Sequence, residues 1–151
     1  MFIDTNVIVA ARVPEAPQSR IARRAISRAL QGPERLRISR QIIREYLATV
    51  TRPQAWSTPL DMAKALGDVE RMCGVFEILE DGPRVMSTLA ELCRDVPLAG
   101  KRVHDANIAA TMLAYGEHRL LTLNPKDFRR FADRVELVRI EGPDRAGREE
   151  G

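Results

Sequence analysis

MFIDTNVIVAA, residues 1–11, is the stretch whose reading decides the fold. Met1 to Ile3 is a short apolar run that stops at once on Asp4-Thr5-Asn6, small polar residues that favour turns and helix N-caps. A buried strand that ends on a carboxylate sets that charge at the strand's carboxyl end, where ligands bind in open α/β sheets. Two roles follow for Asp4: cap of a helix starting near Val7, or member of a site. Local side-chain caps are common, so this stretch by itself favours the cap. What else reaches the same edge decides the matter.

Outward from that stretch, Pro14 and Pro17 break the chain before a helix predicted over residues 18–30. Its apolar positions Ile21, Ala22, Ala25, Ile26, Ala29 and Leu30 recur at helical spacing, and Arg20, Arg23, Arg24 and Arg28 take the other face as a solvated surface. Gly32-Pro33 stops it. Residues 36–39 read as a strand and 40–50 as a helix with Ile42, Ile43, Tyr46, Leu47 and Val50 as its stripe. Glu45 lies beside that stripe, the position of a solvated flank when taken alone. A helix opened by Pro59 runs to Met72 and ends at Gly74. A strand over 75–79 and a helix over 83–94 lead to the loop LAGKRVH, which carries Lys101, Arg102 and His104.

The helix over 104–115 is the second informative stretch. Asp105 falls in its first turn on the same face as Ile108, Ala109 and Met112. A carboxylate aimed at a core is costly unless compensated. Backbone amides and the positive end of the helix dipole are one means, and a bound cation is a stronger one. Residues 119–123 then form a strand that runs into Asn124-Pro125-Lys126-Asp127-Phe128, a polar helical turn. Residues 137–140 make a last edge strand. The tail EGPDRAGREEG, residues 141–151, has the composition of a disordered end.

Composition sets bounds on what the chain does. Its 151 residues suit one domain, and 44% hydrophobic with 30% charged residues is ordinary for a soluble globular protein. No apolar run approaches the roughly 20 residues needed to span a bilayer. The apolar start reads as a strand and not as a secretory leader. Cys73 and Cys93 lack metal-type spacing, and reduced thiols in a cytoplasm are the simpler expectation. A net charge of +3 permits a nucleic-acid partner without demanding one.

Strands alternate with helices, which predicts an α/β fold, a three-layer α/β/α arrangement around a mainly parallel central sheet. The carboxyl ends of parallel strands share one edge. Asp4, Asp105 and the Asn124 to Asp127 turn can meet there, with Glu45 joining from its helix. Several carboxylates brought together repel unless a hard cation holds them. All these donors are oxygens, which points to Mg²⁺ or Mn²⁺ and away from zinc. Such a cation polarises a phosphoryl oxygen and activates water, the chemistry of phosphodiester hydrolysis.

DTN after the first strand, SRQIIREY with Ser39 six residues before Glu45, HDANIAATML around Asp105, and LLTLNPKDF together resemble the PIN domain. More narrowly they resemble the VapC ribonuclease toxins of bacterial toxin–antitoxin pairs. The resemblance covers residues 1–140, nearly the whole chain. It implies a metal-dependent endoribonuclease in which Asp4, Glu45 and Asp105 match the acidic catalytic positions. Asp4 and Asp105 would hold Mg²⁺ or Mn²⁺, and Glu45 would be a further ligand or orient the water. Thr5, Asn6, Ser39 and Thr122 match small polar residues that support such a site. Asn124 stands where the family often has a fourth acid, and Asp127 matches the aspartate of the family's D-F pair. Both are lesser candidates for the metal.

Arg12, Arg40, Lys101 and Arg102 flank the predicted strand ends and are the expected phosphate contacts to RNA. His104 beside Asp105 suits a cap or a supporting group better than a general base. The resemblance further implies a cognate VapB-like antitoxin whose C-terminal segment occupies the acidic site, and a homodimer. Two rivals stand against the nuclease. A non-catalytic PIN-like module that binds RNA or a protein is kept open by Asn124. A phosphatase of the haloacid-dehalogenase type requires a second Asp where this chain has Asn6.

Overall fold

The computed structural model describes residues 1–140. The expected tail from Glu141 lies outside them. Strand β1 (Phe2–Ile3) leads into helix α1 (Thr5–Arg12), followed by α2 (Ser19–Gln31), β2 (Arg37–Ser39) and α3 (Arg40–Val50). Then come α4 (Met62–Val75), β3 (Glu77–Leu79), α5 (Pro83–Asp95) and α6 (Arg102–Ala114). Strand β4 (Arg119–Leu121), the short helix α7 (Pro125–Phe128) with a 3₁₀ turn at Arg129–Phe131, and β5 (Glu136–Val138) complete the order.

The five strands form one sheet in the order β3-β2-β1-β4-β5, and every pairing is parallel. The expected α/β/α arrangement is therefore present. Strand β1 is central, paired through Phe2 to Arg37 of β2 and through Phe2 and Ile3 to Leu120 and Leu121 of β4. The chain runs outward from β1 through β2 to β3, then returns across the sheet to β4. The gap between β1 and β4 is thus the topological switch point, where a crevice opens at the carboxyl ends of the strands. Helix α1 packs on both α2 and α3, and α3 on α4, while α5 packs on α6 and α6 on α7.

Strands covered on both faces read as continuous apolar runs. Phe2, Ile3, Ile38 and Leu120 are accordingly inaccessible to solvent, as are Ile42, Ala109 and Met112 from α3 and α6. Fully burying such a side chain contributes about 1.5–3 kcal/mol, so the sheet and these two helices carry much of the core. Among the described residues no helix is long and apolar enough to cross a membrane. Cys73 and Cys93 are both free and exposed.

Several element ends differ from the sequence expectation for identifiable reasons. Helix α1 starts at Thr5 and not near Val7, because Asp4 caps it. Helix α4 starts three residues after Pro59. Asp61 accepts from the Ala63 amide at 2.8 Å and sets the cap there, while Leu60 is tied back to the Val50 carbonyl at 2.7 Å. At its other end α4 passes through Gly74, whose surroundings are open. Helix α6 starts at Arg102, so Asp105 lies at its fourth residue.

Candidate active site

Asp4 leaves β1 at the switch point and turns directly into α1. Its Oδ1 accepts the Thr5 amide at 2.7 Å, and its Oδ2 accepts Thr122 Oγ1 at 2.7 Å and Asn6 Nδ2 at 2.9 Å. Cap and site are thus one arrangement: the bond that starts α1 also fixes the carboxylate. Thr122, just past β4, accepts in turn from the Asn124 amide at 3.0 Å, and Asn6 Oδ1 accepts the Leu123 amide at 3.0 Å. These bonds stitch the ends of β1 and β4 together. Asp4 is only 5% exposed. Its carboxyl is raised to about 6, chiefly by burial and further by the charges of Glu45 and Asp105, against the bonds from Thr122 and Thr5 that lower it.

Glu45 comes from α3, where its place beside the apolar stripe turns it half inward. Thr5 Oγ1 donates to its Oε2 at 2.7 Å and Gln41 Nε2 donates to its Oε1 at 2.8 Å. The same Gln41 amide donates to the His104 carbonyl at 3.0 Å, while its Oε1 accepts Asn107 Nδ2 at 2.8 Å. Gln41 therefore joins α3 to α6 and sets Glu45 relative to Asp105. Neither Gln41 nor Asn107 was marked by sequence reading. The signal was there, since Gln41 lies one helical turn before Glu45.

Asp105 is raised above the ordinary carboxylate range by burial first, then by Asp127 and Glu45, against the opposing charges of Arg130 and His104. The Arg130 Nε is buried without a hydrogen-bond partner. Asn124 Nδ2 donates to Asp127 Oδ2. Asp4, Glu45, Asp105, Asn124 and Asp127 all line one cavity of about 660 Å³, together with Thr5 and Asn6.

The donors facing this cavity are oxygens, the chemistry preferred by a hard divalent cation. Among the described residues, however, no three His, Cys, Asp or Glu side chains stand close enough to enclose one ion. Mg²⁺ suits such an open set, because it commonly takes one or two protein carboxylates and keeps several waters or substrate oxygens.

The model of the PIN domain matches residues 1–134. The chain belongs to the PIN domain family. Ribonuclease VapC31 of Mycobacterium tuberculosis is 28% identical over 133 residues, covering 87% of this chain and 92% of that protein. In structure the chain is similar to VapBC2 from Rickettsia felis bound to a promoter DNA fragment. The TM-score is 0.67 at 17% identity, with 91% of this chain and 98% of that one covered. It is also similar to VapC20 of M. tuberculosis, a toxin that cleaves the sarcin-ricin loop. Here the TM-score is 0.61 at 16% identity, with 79% and 85% covered.

Not every expected residue of this PIN domain reaches the cavity. Ser39 is the N-cap of α3, accepting from the Ile42 amide at 3.4 Å, and it touches none of the carboxylates. Arg12 pairs with Asp68 at 2.7 Å and Arg40 holds Glu80 in a fork of bonds from 2.8 to 3.1 Å. Both guanidiniums, expected at RNA phosphates, are thus engaged by acids of their own fold. Lys101 and Arg102 are exposed at the start of α6. His104 enters the site through its backbone carbonyl. Arg52 and Trp56, which sequence reading passed over, line the cavity itself.

Proposed function

We propose that this PIN domain is a metal-dependent endoribonuclease of the VapC toxin type, hydrolysing RNA phosphodiester bonds. One observation carries the reading. Asp4, Glu45 and Asp105, from three distant stretches of chain, line a single cavity at the carboxyl edge of the sheet. Burial and the neighbouring carboxylates raise Asp4 to about 6, and a cation bound beside it would favour its ionised form.

Asp4 and Asp105 would hold Mg²⁺ or Mn²⁺, with Glu45 beside them and Asn124 and Asp127 as lesser candidates. A cation there would supply charge to offset the phosphoryl oxygens and to ease loss of a proton from the attacking water. The chain's own residues do the positioning. Thr5 and Gln41 hold both oxygens of Glu45, so the carboxylate is set either to join the cation or to orient the attacking water. Thr122 and Asn6 keep Asp4 from turning away when phosphate approaches. Hydrolysis adds the water's hydroxyl to phosphorus, breaks one P–O ester bond and returns a proton to the leaving oxygen.

The relatives and neighbours named above support two further parts of the reading. A cognate VapB-like antitoxin would place a segment in the acidic cavity, and the working assembly would include a homodimer. A cytoplasmic site of action goes with an RNA substrate. The competing reading, a PIN-like module that binds RNA or protein without cutting, draws on Asn124 in place of a fourth acid.

The deciding experiment incubates total bacterial RNA with purified wild type and with Asp4→Asn, each in Mg²⁺, Mn²⁺ and EDTA. Discrete products from wild type alone, abolished by EDTA, are expected. RNA left equally intact by both folded proteins, free of antitoxin, would leave the binding module as the reading.

A further inference from the structure

The cavity that gathers the carboxylates has a second, chemically different end. Glu45, Thr49 and Arg52 follow at intervals of four and three residues along α3 and its exit, and all line the cavity. At 1.5 Å per residue, α3 runs about 7.5 Å past Glu45 to its end at Val50, and Arg52 follows two residues later. Trp56 lines the cavity as well and also packs against the hydrophobic core.

The turn that carries Trp56 is pinned. Gln54 and Ser57 exchange backbone bonds at 3.3 and 3.4 Å, and Gln54 Nε2 donates to the Thr49 carbonyl at 3.0 Å. The backbone that carries the indole is thereby held to the end of α3. Arg52 is exposed, and whereas Arg12, Arg37, Arg40, Arg71, Arg119 and Arg134 are matched to acids, it has no such partner among the described residues. It is the one cation among the residues lining a cavity that also holds four acids.

We propose that Trp56 and Arg52 form a nucleobase subsite, in which an unpaired base of the RNA stacks on the indole and Arg52 takes a neighbouring phosphate. This rests on the nuclease reading and adds to it the residues that hold the RNA strand beside the acidic cluster. Three features favour this occupant. An aromatic and an unmatched arginine lining one cavity are the pairing that binds single strands by stacking and charge. The cavity volume lies within the range of sites that enclose a small molecule, so it admits a nucleoside beside the acidic end. Stacking tolerates any base because every base has a π-face, so preference there follows strandedness more than sequence.

Trp56 is the sole tryptophan of the chain, so its emission reports this subsite directly. The probe is a mixed-sequence hexaribonucleotide, single-stranded or annealed to its complement, with Ca²⁺ replacing Mg²⁺. Binding is followed separately by anisotropy of a labelled copy. The single strand is expected to quench Trp56 and to bind more tightly than the duplex. Trp56→Ala should weaken binding about tenfold or more, with Trp56→Phe retaining most of it. Arg52→Ala, at an exposed position that leaves the core untouched, should weaken binding and lower the salt slope by about one.

If the hexamer binds wild type and Trp56→Ala equally with unchanged emission, the proposal is overturned, and this wall serves packing or a protein segment. If wild type neither binds the hexamer nor cuts total RNA, the nuclease reading falls and the subsite with it.

Discussion

Thr5 holds two carboxylates at once: its amide donates to Asp4 Oδ1 and its hydroxyl to Glu45 Oε2, each at 2.7 Å. The first bond belongs to the backbone and survives substitution by any residue but proline. The second depends on the hydroxyl. Thr5→Val should therefore keep the fold and the Asp4 cap while releasing Glu45 Oε2, with Oε1 still held by Gln41. Loss of such a supporting bond typically costs about 10- to 100-fold in metal affinity or activity. Cleavage rates and Mn²⁺ affinity should both fall, with Thr5→Ser restoring them. Equal activity in the valine variant would remove Thr5 from the site.

The raised carboxyl of Asp4 has a consequence for stability. The folded protein binds this proton more tightly than the unfolded chain, where the carboxyl titrates near 3.8. Its stabilising contribution is complete below about pH 4 and is lost as the pH rises through about 6. The difference amounts to about 3 kcal/mol in the absence of a cation. Metal-free wild type should lose that much relative to Asp4→Asn between pH 4 and pH 8 in urea titrations. Added Mn²⁺ at pH 8 should restore wild type alone. Parallel pH profiles for the two proteins would contradict the raised value.

Asn124 tests the fourth position. Its amide donates to Asp127, so it partly quiets that carboxylate. Asn124→Asp would replace a donor with a second negative charge at hydrogen-bond range. Without metal the variant should melt below wild type, and saturating Mn²⁺ should raise its melting temperature by more than it raises wild type's. An unchanged metal response would place Asn124 outside the cation's reach.

Away from the site, Asp68 anchors α4. Burial raises its carboxyl, but hydrogen bonds and charge from Tyr46, Arg12 and Arg71 outweigh this and hold it below the ordinary range. Tyr46 donates to it at 2.5 Å from a fully buried ring. A lowered carboxyl stabilises above its unfolded pKa, and the gain is lost as the pH falls through the folded value. Asp68→Asn should cost about 2 kcal/mol at pH 7, the worth of hydrogen bonds to a charged group, and much less near pH 3. Urea unfolding at both pH values checks the sign.

Much of this was legible in the sequence because strands buried on both faces leave apolar runs that stop abruptly. Met1 to Ile3 and Leu120 to Leu121 gave away both β1 and β4, and the polar residues after them marked the edge where the cavity lies. Asp105 stood out because a carboxylate on an apolar helix face needs a reason. The arginines were not legible. Which acid a guanidinium meets is set by contacts across the fold, such as Arg12 with Asp68, 56 residues away. Trp56 escaped notice for a related reason: an isolated aromatic in a turn carries no periodicity, and only the folded exit of α3 brings it to the cavity. The start of α4 was misplaced because Pro59 is a common helix opener, whereas Asp61 supplies the actual cap.

The most direct test is to soak crystals of the metal-free protein in Mn²⁺ and locate the ion by its anomalous scattering. A peak within coordination distance of Asp4 and Asp105, absent from Asp4→Asn crystals treated the same way, is the expected result. A cavity that stays free of Mn²⁺ in wild type, with Asp4 and Asp105 unmoved, would contradict a cation-dependent site.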